Sequence, residues 1–197
     1  MHVLPLILRS DATEYTIRRC SRVAIVGNGP LSEACRKEIR GFEFIARFNG
    51  MDNFQPGDPL TLVYLRLDPG TMSFHGMDVA LRHRAPALAL VYEQKHAATA
   101  KAAEDLLKGI PVLHVDEAFA GLSYPGDHLP YPPFCDKDRR VPSTGFFGLH
   151  HIMNCCPTSS VHLFGFTWQG WRWHDWEYEK GVMLRYAEER RLVVHSG

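Results

Sequence analysis

A histidine, a hydroxyl-bearing turn and a glycine-bearing turn carry the chemistry that this chain could perform. His174 precedes an acidic stretch, Asp175-Trp176-Glu177-Tyr178-Glu179. A histidine there can act as a general base, because its ordinary pKa lies near neutrality. Glu179 follows five positions on, just over one helical turn, so helix geometry permits contact with His174 without imposing it. Asp175 and Glu177 can equally do no more than complement a helix dipole. Pro142-Ser143-Thr144-Gly145 opens an apolar run, with Ser143 in the N-cap place. Hydroxyls and a glycine at a helix start suit an anion or a carboxylate, although plain capping uses the same residues. Gly27-Asn28-Gly29-Pro30 closes the β-rich run Val23–Val26. Amides at such a strand–helix turn favour a phosphate, and Asn28 adds a group that both donates and accepts. In this order the segments outline a nucleotide-sugar site made of backbone amides, small hydroxyls and one histidine base.

A competing reading is a dinucleotide fingerprint, G-x-G-x-x-G. Gly27 and Gly29 fit it, but the third position is Ser32. The second strand then ends in Arg47-Phe48-Asn49, without the acid that holds a ribose in NAD sites. Other candidates are weaker. His150 and His151 are adjacent and lack the i, i+4 spacing of a helical metal site, and one of them is expected at the core edge. Cys155-Cys156 could bind a metal only with distant partners. No metal ligand set is expected in the site. Trp168, Trp171, Trp173 and Trp176 cluster in sequence and suit either sugar stacking or capping of the core.

These residues need elements to hold them. Arg22–Gly27 reads as a buried strand, Leu31–Arg40 as a helix with Pro30 in its first turn, and Phe42–Phe48 as a second strand. Thr61–Leu65, Ala87–Tyr92 and Pro111–Val115 are further strands, and Lys95–Lys108 has helical composition. Thr144–Cys156 is an apolar helix, Val161–Phe164 a strand, Asp175–Glu189 a helix and Leu192–Val194 the last strand. Strands alternating with helices give an α/β three-layer sandwich with a mainly parallel sheet. Gly121–Pro142 is rich in Pro and Gly and too long for a plain connection, as lids and binding loops often are.

The 197 residues fit one domain, 1–197, with 1–20 as an N-terminal extension. Hydrophobic residues make up 45% and charged residues 22%, the balance of a soluble globular protein. The formal net charge is zero, which gives no electrostatic case for nucleic acid or an anionic membrane. No stretch approaches the ~20 apolar residues of a membrane span, and the start lacks the pattern of a signal peptide. Five cysteines, with no CxxC, read as thiols in a reducing compartment, so a cytoplasmic location is expected.

Together these segments resemble the eukaryotic-type sialyltransferase family (glycosyltransferase family 29). V-A-I-V-G-N at Val23–Asn28, a helix ending in Glu38-Ile39 and F-x-x-R-x-N ending at Asn49 are similar to its long sialyl motif. P-S-T-G and the following Val161-x-x-x-Gly165-Phe166 are similar to the short motif, and H-x-x-x-x-E from His174 to Glu179 to the very short one. The resemblance covers less than half the chain. It implies a variant GT-A-like, Rossmann-like glycosyltransferase fold and metal-independent, inverting transfer from a CMP-activated sugar donor to a glycan acceptor, with no cofactor. Asn28, Gly29 and Asn49 would hold the nucleotide, and Ser143, Thr144 and Gly145 the donor ribose and sugar carboxylate. His174 would be the catalytic base and Glu179 its motif partner. The His-Tyr-rich third motif is replaced by Gly170-Trp171-Arg172-Trp173, where Arg172 would supply positive charge to the departing phosphate. The family's disulfide joins the long and short motifs. Cys156 fits one end, but Val23 occupies the other and Cys20 lies three places early, so no Cys20–Cys156 bridge is expected.

Overall fold

The computed structural model describes residues 20–66, 88–92, 107–108, 110, 112–115, 142–170, 172 and 174–195. Seven strands carry the frame: β1 (Arg22–Val26), β2 (Phe44–Phe48), β3 (Leu62–Arg66), β4 (Leu88–Tyr92), β5 (Val112–Val115), β6 (Ser160–Phe164) and β7 (Leu192–Val194). Three helices are described: α1 (Glu33–Ile39), α2 (Thr144–Cys155) and α3 (Trp176–Glu188). The strands form one sheet in the order β5-β4-β3-β2-β1-β6-β7. Every neighbouring pair is parallel.

Parallel strands need both faces covered, and β1 shows how its sequence meets that need. Val23 and Ile25 point into a cluster with Phe44, Ala46, Phe48 and Tyr64, under α2 and α3. Ala24 and Val26 point the other way, into a cluster with Cys35 and Ile39 of α1 and with Ile45 and Phe164. The two-residue period of the strand therefore feeds two cores, and the result is a three-layer α/β fold. Truncating Phe44 to alanine in such a core costs about 3–5 kcal/mol. Helix α2 lies close on the sheet because residue 148 is glycine: a Cβ there would stand 2.5 Å from the Phe48 ring.

Three details depart from the sequence reading. Helix α1 begins at Glu33, not in the turn at Pro30, because the Ser32 hydroxyl accepts the Cys35 N–H and fixes the N-cap there. Strand β2 begins at Phe44, since the Phe42 N–H donates to Ile39 in the turn that closes α1. His150 and His151 are both buried, at 4% and 1% exposure, instead of one standing at the core edge. His150 packs edge-on against Phe146, and His151 Nδ1 meets the Tyr64 hydroxyl at 2.6 Å. Burial pushes the His151 pKa down to about 3, so its ring is neutral. The expected helix Lys95–Lys108, the N-terminal extension up to residue 19 and the loop from Gly121 to residue 141 lie outside the described residues, apart from Leu107 and Lys108. Among the described residues, no helix is long and apolar enough to cross a membrane.

Candidate functional site

The chain runs from β1 to β5 on one side of the sheet and returns beside β1 as β6. Strand order thus reverses between β1 and β6, and the loops at their C-terminal ends diverge. Open α/β sheets bind ligands in the crevice made this way. A cleft of about 490 Å³ lies there.

Its floor is the turn after β1. The Gly27 N–H donates to Phe164 O at 2.8 Å and the Gly29 N–H to Gly165 O at 2.9 Å, which seals the turn against the end of β6. A Cβ on Gly27 would stand 2.5 Å from the Gly165 carbonyl oxygen, so the approach of the two backbones requires glycine. The carbonyls of Gly27 and Gly29 both accept from the Asn53 carboxamide nitrogen, at 2.7 Å for Gly27. The Gly29 amide is therefore committed within the protein, unlike the free phosphate donor expected from sequence. The exposed Asn28 side chain lines the cleft between the two glycines.

One wall comes from β2 and α2. Asn49 turns the chain out of β2 with a φ of 45°, a conformation that asparagine adopts more readily than most residues. Its Nδ2 donates to Thr144 Oγ1 at 2.9 Å, joining two segments 95 residues apart. Ser143 caps α2, its Oγ accepting the Phe146 N–H at 3.0 Å. Beneath it sits Glu179, 1% exposed. One Glu179 oxygen accepts the Ser143 N–H at 2.7 Å, and the other accepts the Ser143 hydroxyl proton at 2.6 Å. Ser143 is thus fixed from both sides. The cleft end of α2 presents Thr144 and Gly145, at the positive end of a 12-residue helix.

The opposite wall is the segment after β6, followed by the start of α3. Phe166, Trp168 and Gln169 line it, with His174 and Trp176 beside them. Trp168 packs on Phe166 at 5.6 Å, and His174 meets Trp176 edge-on at 5.0 Å between ring centroids. The half-buried His174 therefore faces a cleft with aromatic walls. Asp175 caps α3 through the Tyr178 N–H at 3.1 Å.

Of the residues expected from sequence, Asn28, Gly29, Asn49, Ser143, Thr144, Gly145 and His174 line this cleft. Glu179 is brought beneath it through Ser143. Arg172 is exposed and is not part of the lining. Trp168 and Trp176 line the cleft, while Trp171 and Trp173 lie outside the described residues.

Asn53 was not singled out in the sequence, and neither was the group behind it. Arg36 and Arg47 both reach Asp58 Oδ2, at 2.6 and 3.3 Å, and Arg47 holds Asn53 Oδ1 at 3.0 Å. Burial lowers the Arg47 pKa to about 10, against the pull of Asp58. F-x-x-R-x-N carried a signal for Arg47, since a lone arginine in an otherwise apolar strand needs a buried acid.

Compared with known proteins, the chain matches no family model and no curated protein.

Proposed function

We propose that the cleft binds a CMP-activated sugar and transfers the sugar to a glycan hydroxyl, in the manner of sialyltransferases. The fold would then be a variant of the GT-A glycosyltransferase type. One observation carries this reading: the three segments that resemble the sialyl motifs, far apart in sequence, meet on a single cleft where strand order reverses.

In this reading Asn28 and Asn49 hold the nucleotide. The Thr144 and Gly145 end of α2 faces the donor phosphate or the sugar carboxylate. His174 takes the proton from the acceptor hydroxyl, whose oxygen attacks the anomeric carbon. The bond from that carbon to the phosphate oxygen breaks on the opposite face, and CMP leaves with inversion. Glu179 acts through Ser143, holding the helix start in place. The sugar can be a sialic acid or Kdo, which share the carboxylate and the CMP carrier.

A second reading, a protein that binds nucleotide without transferring sugar, draws on Arg172. It is exposed and outside the cleft's described lining, which favours binding without transfer. The dinucleotide reading is weaker, because Ser32 is used as a helix cap and Asn49 is tied to Thr144.

The deciding experiment measures binding and turnover separately. CMP is expected to raise the melting temperature, by an amount equivalent to about 2.7 kcal/mol at ~100 times its dissociation constant. Stabilisation by NAD with none by CMP would overturn the reading. With CMP-sialic acid or CMP-Kdo and a glycan panel, His174→Ala should lower turnover ~10²–10⁴-fold and leave CMP binding nearly intact. Clear CMP binding by wild type, with neither transfer nor donor hydrolysis, would favour the binding protein.

A further inference from the structure

We propose that Glu38, His162 and His195 form a binding site for a divalent transition-metal ion of the zinc class, separate from the cleft. None of the three lines the cleft, and none enters the reading of the sugar-transfer site. Each offers one ligand atom, and these atoms all lie within 4.8 Å of one another. Ligand atoms around a tetrahedral zinc ion stand roughly 3.4 Å apart. Shifts of about an ångström would therefore close the set around an ion.

The scaffold holds the rings in place. His162 sits in β6, paired with Val193 of β7. His195 follows β7, and its N–H donates to Leu163 O at 2.9 Å. The His195 ring stacks on Phe164 at 4.0 Å, and the His162 ring meets the edge of Phe42 at 4.9 Å. Glu38 comes from α1, the helix packed on this face. The middle of one strand, the end of another and a helix, fixed by the fold, thus supply two imidazoles and a carboxylate, a donor set that suits zinc.

The outer partners are those of a metal site. His162 Nε2 lies 2.8 Å from Ser160 Oγ, so its other nitrogen, Nδ1, turns inward. His195 Nε2 turns inward as well, toward His162 Nδ1, and the Glu38 carboxylate stands beside the same ring, 3.3 Å from Nδ1, from where it must swing toward Nε2 to join the ion. The two inward nitrogens face each other at 2.8 Å. Two nitrogen lone pairs so close repel unless a proton or a metal ion lies between them. With a proton on His162 Nδ1, Ser160 donates to His162 Nε2, and with the proton on His195 Nε2 it accepts from that His162 nitrogen. With a metal there, Ser160 accepts from His162 Nε2–H, the hydrogen bond to the far ring nitrogen that orients most metal-binding histidines. Arg22 stands 3.9 Å from the other Glu38 oxygen and is a nearby cation. The Glu38 carboxylate is therefore needed to make the local charge suit an ion.

The test uses the full chain, stripped with a chelator and titrated with Zn²⁺ alone by calorimetry. Co²⁺ absorption then reports the ligand geometry. Wild type is expected to bind about one equivalent of Zn²⁺ and to show the intense visible bands of tetrahedral Co²⁺. His195→Ala should abolish both signals. Glu38→Gln is at an exposed position and should fold normally, with affinity reduced at least ~10-fold. Wild-type-like Zn²⁺ affinity in His195→Ala and Glu38→Gln would assign the ion to the chain's other histidines and overturn the proposal. Absence of Zn²⁺ binding by folded wild type would leave a proton as the only bridge and overturn it too.

Discussion

Among the described residues, two carboxylates are buried almost completely, and their surroundings differ. Asp58 is 2% exposed and Glu179 1%. Asp58 is held by two guanidinium groups on the α1 side of the sheet. Glu179 is held by a serine amide and hydroxyl at the start of α2. The first arrangement balances charge with charge and fixes the loop after β2, from which Asn53 grips the floor of the cleft. The second sets a carboxylate against the amide and hydroxyl of Ser143, directly behind the candidate site. The Asp58 ion pairs hold the scaffold, and the Glu179 hydrogen bonds to Ser143 hold the helix start at the site.

The largest expected effect is that of Asp58→Ala. It would leave Arg36 and Arg47 buried without their shared acid, at a cost of about 3–5 kcal/mol read from the urea midpoint. A loss below about 1 kcal/mol would break the comparison, because the charges would then not depend on one another.

Acid should act on the α2 side. The folded pKa of His151, about 3, is far below its ordinary value of 6.5. Its neutral form therefore adds stability that is fully present above about pH 6.5 and is lost as pH falls toward the folded pKa. Between about pH 6.5 and pH 4.5 the loss approaches ~2–3 kcal/mol. Urea titrations across that window should show the slope in wild type and lose it in His151→Gln. An unchanged slope in the variant would remove His151 as the acid-sensitive group.

Glu179→Gln should cost less than Asp58→Ala, about 1–2 kcal/mol, since neutral donors are easier to satisfy again than buried cations. Because it disturbs Ser143, it should also weaken CMP binding by about tenfold, or ~1.4 kcal/mol. A stability loss equal to that of Asp58→Ala would mean that the two carboxylates do similar structural work.

The smallest effect concerns the thiols. Cys20 and Cys156 lie in the same core cluster, and burial, helped by Glu43, raises the Cys20 pKa. A protonated thiol is a poor nucleophile, so disulfide formation should be slow. Alkylation under denaturing, non-reducing conditions should label both cysteines. A native Cys20–Cys156 bridge in the mass spectrum would contradict that.

The strands were legible because short apolar runs such as Val23–Val26 and Val161–Phe164, bounded by turn residues, suit buried strands. The helix starts at Ser143 and Asp175 were legible from local capping chemistry. The convergence of the glycine-bearing turn, Ser143 and His174 followed from parallel strands, which gather their following loops at one edge. Contacts set by tertiary packing were not legible. Glu179 reaches Ser143 across 36 residues, whereas in sequence it stands out only as a possible contact of His174. Nothing in the sequence singles out Arg36 and Asp58, and only the fold reveals them as a buried pair. The helix after the first glycine turn was placed too early because proline suits both a first turn and the loop before it.

The two asparagines of the cleft also set a chemical clock. Asn28 precedes Gly29, and Asn49 precedes Gly50. An asparagine followed by glycine is prone to deamidation, because no side chain hinders attack of the next backbone nitrogen on the carboxamide. At Asn28 that nitrogen is held by Gly165, which should slow the reaction. At Asn49, deamidation would replace the amide that donates to Thr144 with a carboxylate. Stored protein should then age by gaining negative charge in a cleft read as an anion site. Peptide mapping of aged samples should find aspartate and isoaspartate at 49 before 28, with CMP affinity falling in step.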